Sequence, residues 1–411
     1  MEGGSEENVG LLWKFHLFLK RCFFFYRPWK WYWWLFFGPW TWLFRLLSLV
    51  VPKKKGLILF GSNEGLLYSD NSRALFQYAV DNSEILTPVW ITRSSSVYQK
   101  VDSKYPGSVI MSPTIKSIFH YLRAEQVVIS YSYKDMCKMP WIPSKFVNQL
   151  WHGVPLKKIG FHKPMSIDLE EGFVRWCTQV NRFFVASKYE EEMLKIGFGN
   201  ENIDFVITGN PRNDVLYQYS KRKKEEGRTI LYTPTYRERR GGDGGYSQVL
   251  LHPDIVEDKL HEFLEKNDAN LIIRPHWITD GYEGSSDRIR CVNHLIEPDL
   301  FQLFNNSDVL ITDYSSAFVD WLILDRPVIF APYDLDEYGE NTGFIGKYVD
   351  LVINPICKSP DKIFEGLSRA LNNPDLYSIE REEKRRFYLG ELGGGACARV
   401  TSMLELGVLK S

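Results

Sequence analysis

Cysteine is scarce in this sequence, long apolar runs are missing, and there is almost no net charge. The six cysteines (Cys22, Cys137, Cys177, Cys291, Cys357 and Cys397) are scattered over 411 residues without a CxxC pair. That spacing excludes a disulfide scaffold or a zinc ribbon and fits a reducing compartment. A formal net charge of −1 gives no global basic field of the kind that draws nucleic acid. The longest uncharged stretch near the N-terminus, Trp31–Phe44, has 14 residues and contains Gly38-Pro39, whereas a spanning helix needs ~20 apolar residues. The stretch is aromatic, starts late and has no small-residue cleavage site, so it does not read as a signal peptide.

Acidic residues are also absent between Glu7 and Glu64. Residues 1–55 hold nine Lys/Arg against three acids, leaving 41 bases and 48 acids for the rest: a net +6 head on a −7 body. Leu11–Val51 carries seven of the thirteen tryptophans. Trp and Tyr favour the headgroup level of a bilayer and Lys/Arg its anionic surface. The segment 11–51 therefore reads as one or two helices lying in a membrane interface, broken near Pro28 and Gly38-Pro39. The competing reading is an aromatic helix packed on the protein's own body or on a partner.

Beyond residue 55 the chain is ordinary globular sequence, with 44% apolar and 25% charged residues over the full length. Its length suits two domains of ~150–200 residues. Short β-branched runs alternate with amphipathic stretches, the pattern of parallel sheets covered by helices. Strands are predicted at Leu57–Gly61, Pro88–Thr92, Val109–Ser112, Val127–Tyr131, Phe146–Trp151, Arg182–Ala186 and Phe205–Gly209. Helices are predicted at Asp70–Asp81 and Tyr189–Ile196. After a charged linker, Tyr219–Arg228, strands recur at Thr229–Thr233, Asn270–Pro275, Arg290–Asn293, Val309–Asp313, Pro327–Ala331 and Asp350–Ile353. The matching helices are Asp254–Lys266, Asp299–Asn306, Ser316–Leu324, Pro360–Leu371, Ser378–Tyr388 and Ala396–Leu406. The expected organisation is a membrane-associating segment 1–55, Rossmann-like units at 56–218 and 219–375, and closing helices at 376–411. Two such units place a ligand crevice at the carboxyl ends of their strands.

Five polar clusters sit at those strand ends. His152-Gly153-Val154-Pro155-Leu156 follows a strand, placing an imidazole suited to accept a hydroxyl proton near neutral pH; a histidine bonded within its loop is the alternative. In Gly209-Asn210-Pro211-Arg212-Asn213-Asp214 a turn precedes a helix start, where Arg212 either faces the seam or pairs with Asp214. Thr233-Pro234-Thr235-Tyr236-Arg237 precedes a glycine-rich stretch, Gly241–Gly245, that suits a closing loop and lacks the G-x-G-x-x-G fingerprint. Arg274-Pro275-His276 ends a strand with cationic groups suited to a diphosphate. Thr312-Asp313-Tyr314-Ser315-Ser316 opens a helix that carries Asp320 one turn on, an anion site or an ordinary N-cap. Asp313 and Asp320 could bind Mg²⁺, but two carboxylates seven apart across a strand–helix turn are a poor metal signature, so no cofactor is expected.

Taken in order, Trp151-His152-Gly153-x-Pro155-Leu156-Lys157, Gly209-Asn210-Pro211-Arg212-x-Asp214, Pro234-Thr235-x-Arg237, Arg274-x-His276 and Thr312-Asp313-Tyr314-Ser315-Ser316-x-x-x-Asp320 resemble the CDP-glycerol glycerophosphotransferases, the teichoic acid primases and polymerases. The resemblance runs from about Leu57 to Tyr388. It implies a GT-B-like α/β architecture and a peripheral location on the cytoplasmic face of the membrane. It also implies transfer of glycerol phosphate from a CDP-alditol to a lipid-linked acceptor, with release of CMP. His152 and His276 match the family's catalytic histidines. Gly153, Val154, Pro155, Leu156, Arg212, Tyr236, Arg237, Arg274, Pro275, Ser315, Ser316 and Asp320 match positions around the donor, with Asp320 expected on its hydroxyls or ribose. Val154 stands where the family usually has Thr, and Tyr236 where Trp is frequent; both departures touch the choice of alditol. The length is similar to the compact primases. Alternatives are a CDP-ribitol or capsule-type phosphotransferase, a GT-B nucleotide-sugar glycosyltransferase, and a non-enzymatic membrane-attached polysaccharide-binding protein.

Overall fold

The structure is a computed structural model that describes residues 42–139, 145–221, 228–235, 257–274, 287–292 and 299–410. The first half runs β1 (Leu57–Phe60), α1 (Asp70–Asn82), β2 (Thr87–Thr92), α2 (Ser95–Lys104), β3 (Val109–Met111), α3 (Ile115–Arg123), β4 (Gln126–Ile129), β5 (Phe146–Gln149), α4 (Ile167–Cys177), β6 (Arg182–Val185), α5 (Lys188–Phe198) and β7 (Asp204–Ile207). The second continues with α6 (Asp214–Tyr219), β8 (Arg228–Thr233), α7 (Glu257–Lys266), β9 (Ala269–Ile273), β10 (Ile289–Cys291), α8 (Leu300–Asn305), β11 (Val309–Thr312), α9 (Ala317–Trp321) and β12 (Val328–Phe330). Five helices close the chain: α10 (Leu335–Thr342), α11 (Tyr348–Leu351), α12 (Pro360–Asn372), α13 (Ser378–Leu389) and α14 (Ala396–Lys410).

The strands form two sheets, one of seven in the order β3-β2-β1-β4-β5-β6-β7 and one of five in the order β10-β9-β8-β11-β12. Every strand pairing is parallel. β1, β4 and β11 are buried at every residue. That is why Leu57–Phe60, 127–129 and 309–311 read as apolar runs without alternation, since helices cover both faces of a parallel sheet.

The predicted strands all recur except Asp350–Ile353. There Tyr348 and Leu351 are buried while Val349 and Asp350 face solvent, a helical spacing that prevails over β-branched content and gives α11. Helices α2, α3, α4 and α10 have no counterpart among the predicted helices. α14 packs back on the first sheet, where Cys397, Val400, Leu404 and Val408 share a core with Ile58, Phe60, Leu75 and Phe76. Its start is capped by Asp214, whose carboxylate accepts the N–H groups of Gly395, Ala396 and Cys397 at 2.8–2.9 Å.

The loop after β5 ties the sheets together. Val154 and Leu156 are buried in the same cluster as Leu310, Tyr314, Phe318 and Phe330 of the second sheet. Leu156 also accepts a backbone bond from Ile345 at 3.0 Å. Of the aromatic N-terminal segment, residues 42–50 are described and helical. Phe44 and Leu47, with Val51 just beyond, pack on the core of the first sheet, while Trp42, Leu43, Leu46, Leu49 and Val50 are exposed. This stretch thus packs on the body along one side and presents an apolar row on the other. The proposed breaks at Pro28 and Gly38-Pro39 lie outside the described residues. Among the described residues no helix is long and apolar enough to cross a membrane.

Candidate active site

His152 sits three residues beyond β5 on a turn that the chain fastens at each step. Leu150 extends the ladder by donating to Ile129 at 2.9 Å, and the Gln149 side chain accepts from the Trp151 N–H at 3.0 Å. The Asn71 amide at the start of α1 donates to the carbonyls of Leu150 and Trp151. Trp151 (φ 55°) and Asp70 (φ 65°) both hold left-handed backbone, a costly conformation for side-chain-bearing residues that concentrates at functional sites.

The imidazole lies flat on Tyr131, ring centroids 4.6 Å apart and planes within 9°, with Trp151 on its other flank. Its Nδ1 meets the Ser130 carbonyl at 3.2 Å. A carbonyl only accepts, so Nδ1 carries the proton and Nε2 is left with the lone pair. Burial pulls the His152 pKa below its ordinary value, while the Asp70 carboxylate and the Ser130 bond pull the other way. The ring is therefore neutral at physiological pH, the state a general base requires. The Ser130 carbonyl is itself held in place. One carboxylate oxygen of buried Asp135 accepts the N–H groups of Ser130, Tyr131 and Ser132, and burial pushes that carboxyl up to about 6.

Arg212 is the hub. Its Nη1 donates to Asp70 at 2.8 Å and to the His152 carbonyl at 3.0 Å, and its Nη2 to Asp320 at 2.8 Å. Burial opposes its charge, but Asp320 and Asp70 hold it protonated. Asp214, the partner suggested by sequence, is occupied with α14 instead. Asp320 is buried: burial raises its pKa and Arg212 lowers it. The carboxylate that the sequence places on the donor's hydroxyls or ribose is here bonded to Arg212. Gly153 (φ 133°) is needed because a Cβ there would stand 2.9 Å from Arg212 Nη2 and 3.3 Å from Ser316 Oγ. The close approach that this glycine permits is by the protein's own side chains.

On the second sheet, Asp313 accepts from the Thr235 N–H at 3.0 Å, from the Thr235 hydroxyl and from the Tyr314 N–H at 2.6 Å. It joins the turns after β8 and β11. The Ser315 hydroxyl accepts the Ala317 N–H at 3.2 Å at the opening of α9. Among the described residues no cluster of three His, Cys, Asp or Glu side chains has the geometry of a metal centre.

Two chambers meet at His152. The first, about 560 Å³, is lined by His152, Gly153, Val154, Pro155, Leu156, Arg274, Ser315 and Ser316, together with Lys157, Thr233 and Thr235. Among the described residues the buried Thr233 hydroxyl has no hydrogen-bond partner there, an acceptor and donor that a bound ligand would satisfy. The second, about 1280 Å³, is lined by Arg212 and Asp320 on the far side of His152. The structure thus brings together eight of the sequence-predicted residues in one chamber, and three of them (His152, Ser315 and Ser316) line its neighbour as well, with Arg212 and Asp320. Tyr236, Arg237, Pro275 and His276 lie outside the described residues, as does the glycine-rich stretch at Gly241–Gly245. Asp70, Asn71, Tyr131 and Asp135 were missed. The polar run Ser69-Asp70-Asn71-Ser72 signals a helix start, and Ser132-x-x-Asp135 is a capping box that the structure forms.

Parallel sheets whose strand ends frame a buried histidine and a chamber lined by Lys157 and Arg274 have the form of a site for an anionic ligand. The chain belongs to the CDP-Glycerol:Poly(glycerophosphate) glycerophosphotransferase family, whose model matches residues 43–405. It is 27% identical over 352 residues to a teichoic acid glycerol-phosphate transferase of Staphylococcus aureus, covering 79% of this chain and 86% of that one. It is 25% identical over 362 residues to a teichoic acid poly(glycerol phosphate) polymerase of Bacillus spizizenii, with 80% and 87% covered. In fold it matches the wall teichoic acid polymerase TagF, in a histidine-to-asparagine variant soaked with CDPG. There the TM-score is 0.72 at 22% identity, over 90% of this chain and 93% of that one.

Proposed function

We propose that this glycerophosphotransferase moves glycerol phosphate from CDP-glycerol to a hydroxyl of a lipid-linked acceptor, within a GT-B-like pair of Rossmann-like domains, releasing CMP. The observation that carries the reading is the His152 turn: Nδ1 locked on Ser130 leaves Nε2 as the lone-pair nitrogen where the two chambers meet. The acceptor O–H gives its proton to Nε2 as its oxygen forms a bond to the donor's β-phosphorus. The bond from that phosphorus to the bridging oxygen breaks, and the electron pair leaves with CMP. Arg274, Lys157 and the N–H groups at Ser315-Ser316 favour the diphosphate and the charge growing on the leaving group, with His276, Arg237 and Tyr236 assigned to the same donor by the family motif. Phosphoryl transfer is mostly positioning and charge stabilisation, which these cationic side chains and N–H groups would supply. Arg212 and Asp320 act by holding the His152 turn against the second sheet.

The exposed row Trp42, Leu43, Leu46, Leu49 and Val50, below a strongly basic N-terminal segment, supports peripheral attachment to the cytoplasmic face of a membrane. The test of the reaction is incubation of the full chain with CDP-glycerol and a soluble acceptor, scored by nucleotide product. CMP is expected, with His152→Ala lowering turnover by about a hundredfold or more. A nucleoside diphosphate product, or near-normal turnover in His152→Ala, refutes the reading.

A further inference from the structure

We propose that Glu190 is a positioning residue that works as a neutral acid: protonated, it leaves Arg212 to Asp70 and Asp320 and so keeps the His152 turn in place. Its catalytic consequence rests on the phosphotransfer reading above; its protonation does not. Glu190 lines neither chamber and is fully buried in the first turn of α5. That turn abuts the loop carrying the base, because the Tyr189 hydroxyl donates to the Pro155 carbonyl at 3.2 Å. One Glu190 oxygen accepts the Ala186 N–H at 2.6 Å. The other, Oε1, is buried and has no hydrogen-bond partner among the described residues. The chain after β7 bonds back to the Val185 carbonyl through the Thr208 and Gly209 N–H groups, which brings Asn210 to the sheet end where Glu190 is anchored. Both polar atoms of the buried Asn210 side chain, Arg212 Nε and Asn213 Oδ1 are likewise without a partner among the described residues. A carboxylic acid brings a donor to these orphaned groups, whereas a carboxylate brings only a further acceptor.

Charge argues the same way. The charged groups bearing on Glu190 are Arg212 and Asp320. Arg212 already serves Asp70 and Asp320, so an ionised Glu190 is a third buried carboxylate on one guanidinium, repelled by Asp320. The remaining cations on the elements packed around α5 are engaged elsewhere. On its own helix Lys188 and Lys195 pair with Glu191, and on β6 Arg182 pairs with Asp204. On α13 Arg385 and Arg386 pair with Glu382, and Lys384 donates to the Asp350 carbonyl. His162, beside Gly197 at the far end of α5, is bonded to the Ile159 carbonyl, while Glu192 and Glu383 face solvent. Burial pushes the Glu190 carboxyl up to about 7, with the Ala186 N–H and Arg212 acting against it and Asp320 with it. Ionisation above neutrality therefore draws Arg212 away from Asp320 and from the His152 carbonyl, to which it donates at 3.0 Å.

The experiment follows kcat and KM of the full chain with CDP-glycerol and a soluble acceptor from about pH 5 to 9, beside thermal unfolding at each pH. The unaltered enzyme is expected to lose about tenfold between pH ~7 and ~8.5, in kcat more than in KM, while staying folded. Glu190→Gln, neutral at every pH, should lose that alkaline limb and exceed the unaltered enzyme by about tenfold at pH ~8.5. Asp320→Asn frees Arg212 for Glu190 and should move the limb about one pH unit lower. Unfolding gives a readout without turnover. The unfolded chain releases the Glu190 proton near its ordinary value of 4.5 and the folded chain at about 7, so this group lowers stability as pH rises through that window. The thermal midpoint of Glu190→Gln should therefore gain on that of the unaltered chain between pH ~5 and ~8. An alkaline limb that survives Glu190→Gln, a limb unmoved by Asp320→Asn, or a thermal gap that does not widen overturns the proposal. If CDP-glycerol is not turned over at all, the phosphotransfer reading fails, and the thermal comparison still decides the state of Glu190.

Discussion

Arg212 is clamped between Asp70 and Asp320, whose side chains are only 7% and 4% exposed. Replacing it with Met leaves two buried carboxylates facing one another without a cation. Breaking a buried pair in this way costs about 3–5 kcal/mol, a large share of the ~5–15 kcal/mol that holds a domain folded. Asp320→Asn is milder, because Arg212 keeps Asp70; the loss of one charge-assisted bond is about 1.5–3 kcal/mol. In the double variant the carboxylate that Met would have stranded is already gone, so the two losses do not add. The expected coupling is about 2 kcal/mol, read from urea unfolding of the four proteins in a double-mutant cycle. Arg212→Lys should fall between, since one ammonium does not span both carboxylates as the guanidinium fork does. Additivity within about 0.5 kcal/mol would refute the clamp and return Arg212 to the role of a free phosphate ligand.

The acid limb of kcat/KM against pH should have its midpoint below the ordinary histidine value of 6.5, because burial disfavours charged His152 and the base works only when neutral; a midpoint above 7 contradicts that assignment. Gly153→Ala forces a Cβ to 2.9 Å from Arg212 Nη2 at φ 133° and should cost about 1–3 kcal/mol of stability with a fall in kcat, checked by thermal unfolding and turnover together. Leu46→Glu with Leu49→Glu, both on the exposed side of the helix at residues 42–50, should leave unfolding unchanged and abolish co-sedimentation with anionic liposomes, whereas retained sedimentation would remove this row from membrane binding.

The strands were legible because parallel strands buried on both faces must be continuous apolar runs. His152 was legible because a histidine directly after such a run lands at a crevice. The partners of Arg212 were not. They lie 142 and 108 residues away in sequence, while the nearby candidate, Asp214, is used for capping α14. Asp70, Asn71 and Tyr131 were hidden for the same reason. Hydrogen bonds across a sheet leave no periodic trace, and a polar run at a helix start reads as a cap whatever else it holds. α11 shows the converse failure, where β-branched content suggested a strand and only the burial of Tyr348 and Leu351 reveals the helix.

Val154 and Leu156 have a consequence for how the enzyme responds to its surroundings. The turn bearing the base is fastened to the second sheet through an oily seam as well as by ions. High ionic strength weakens exposed charge pairs but leaves such a seam intact. Cooling and chaotropes, which loosen apolar contact, are therefore the agents expected to throw the proton acceptor out of alignment with the phosphate seat.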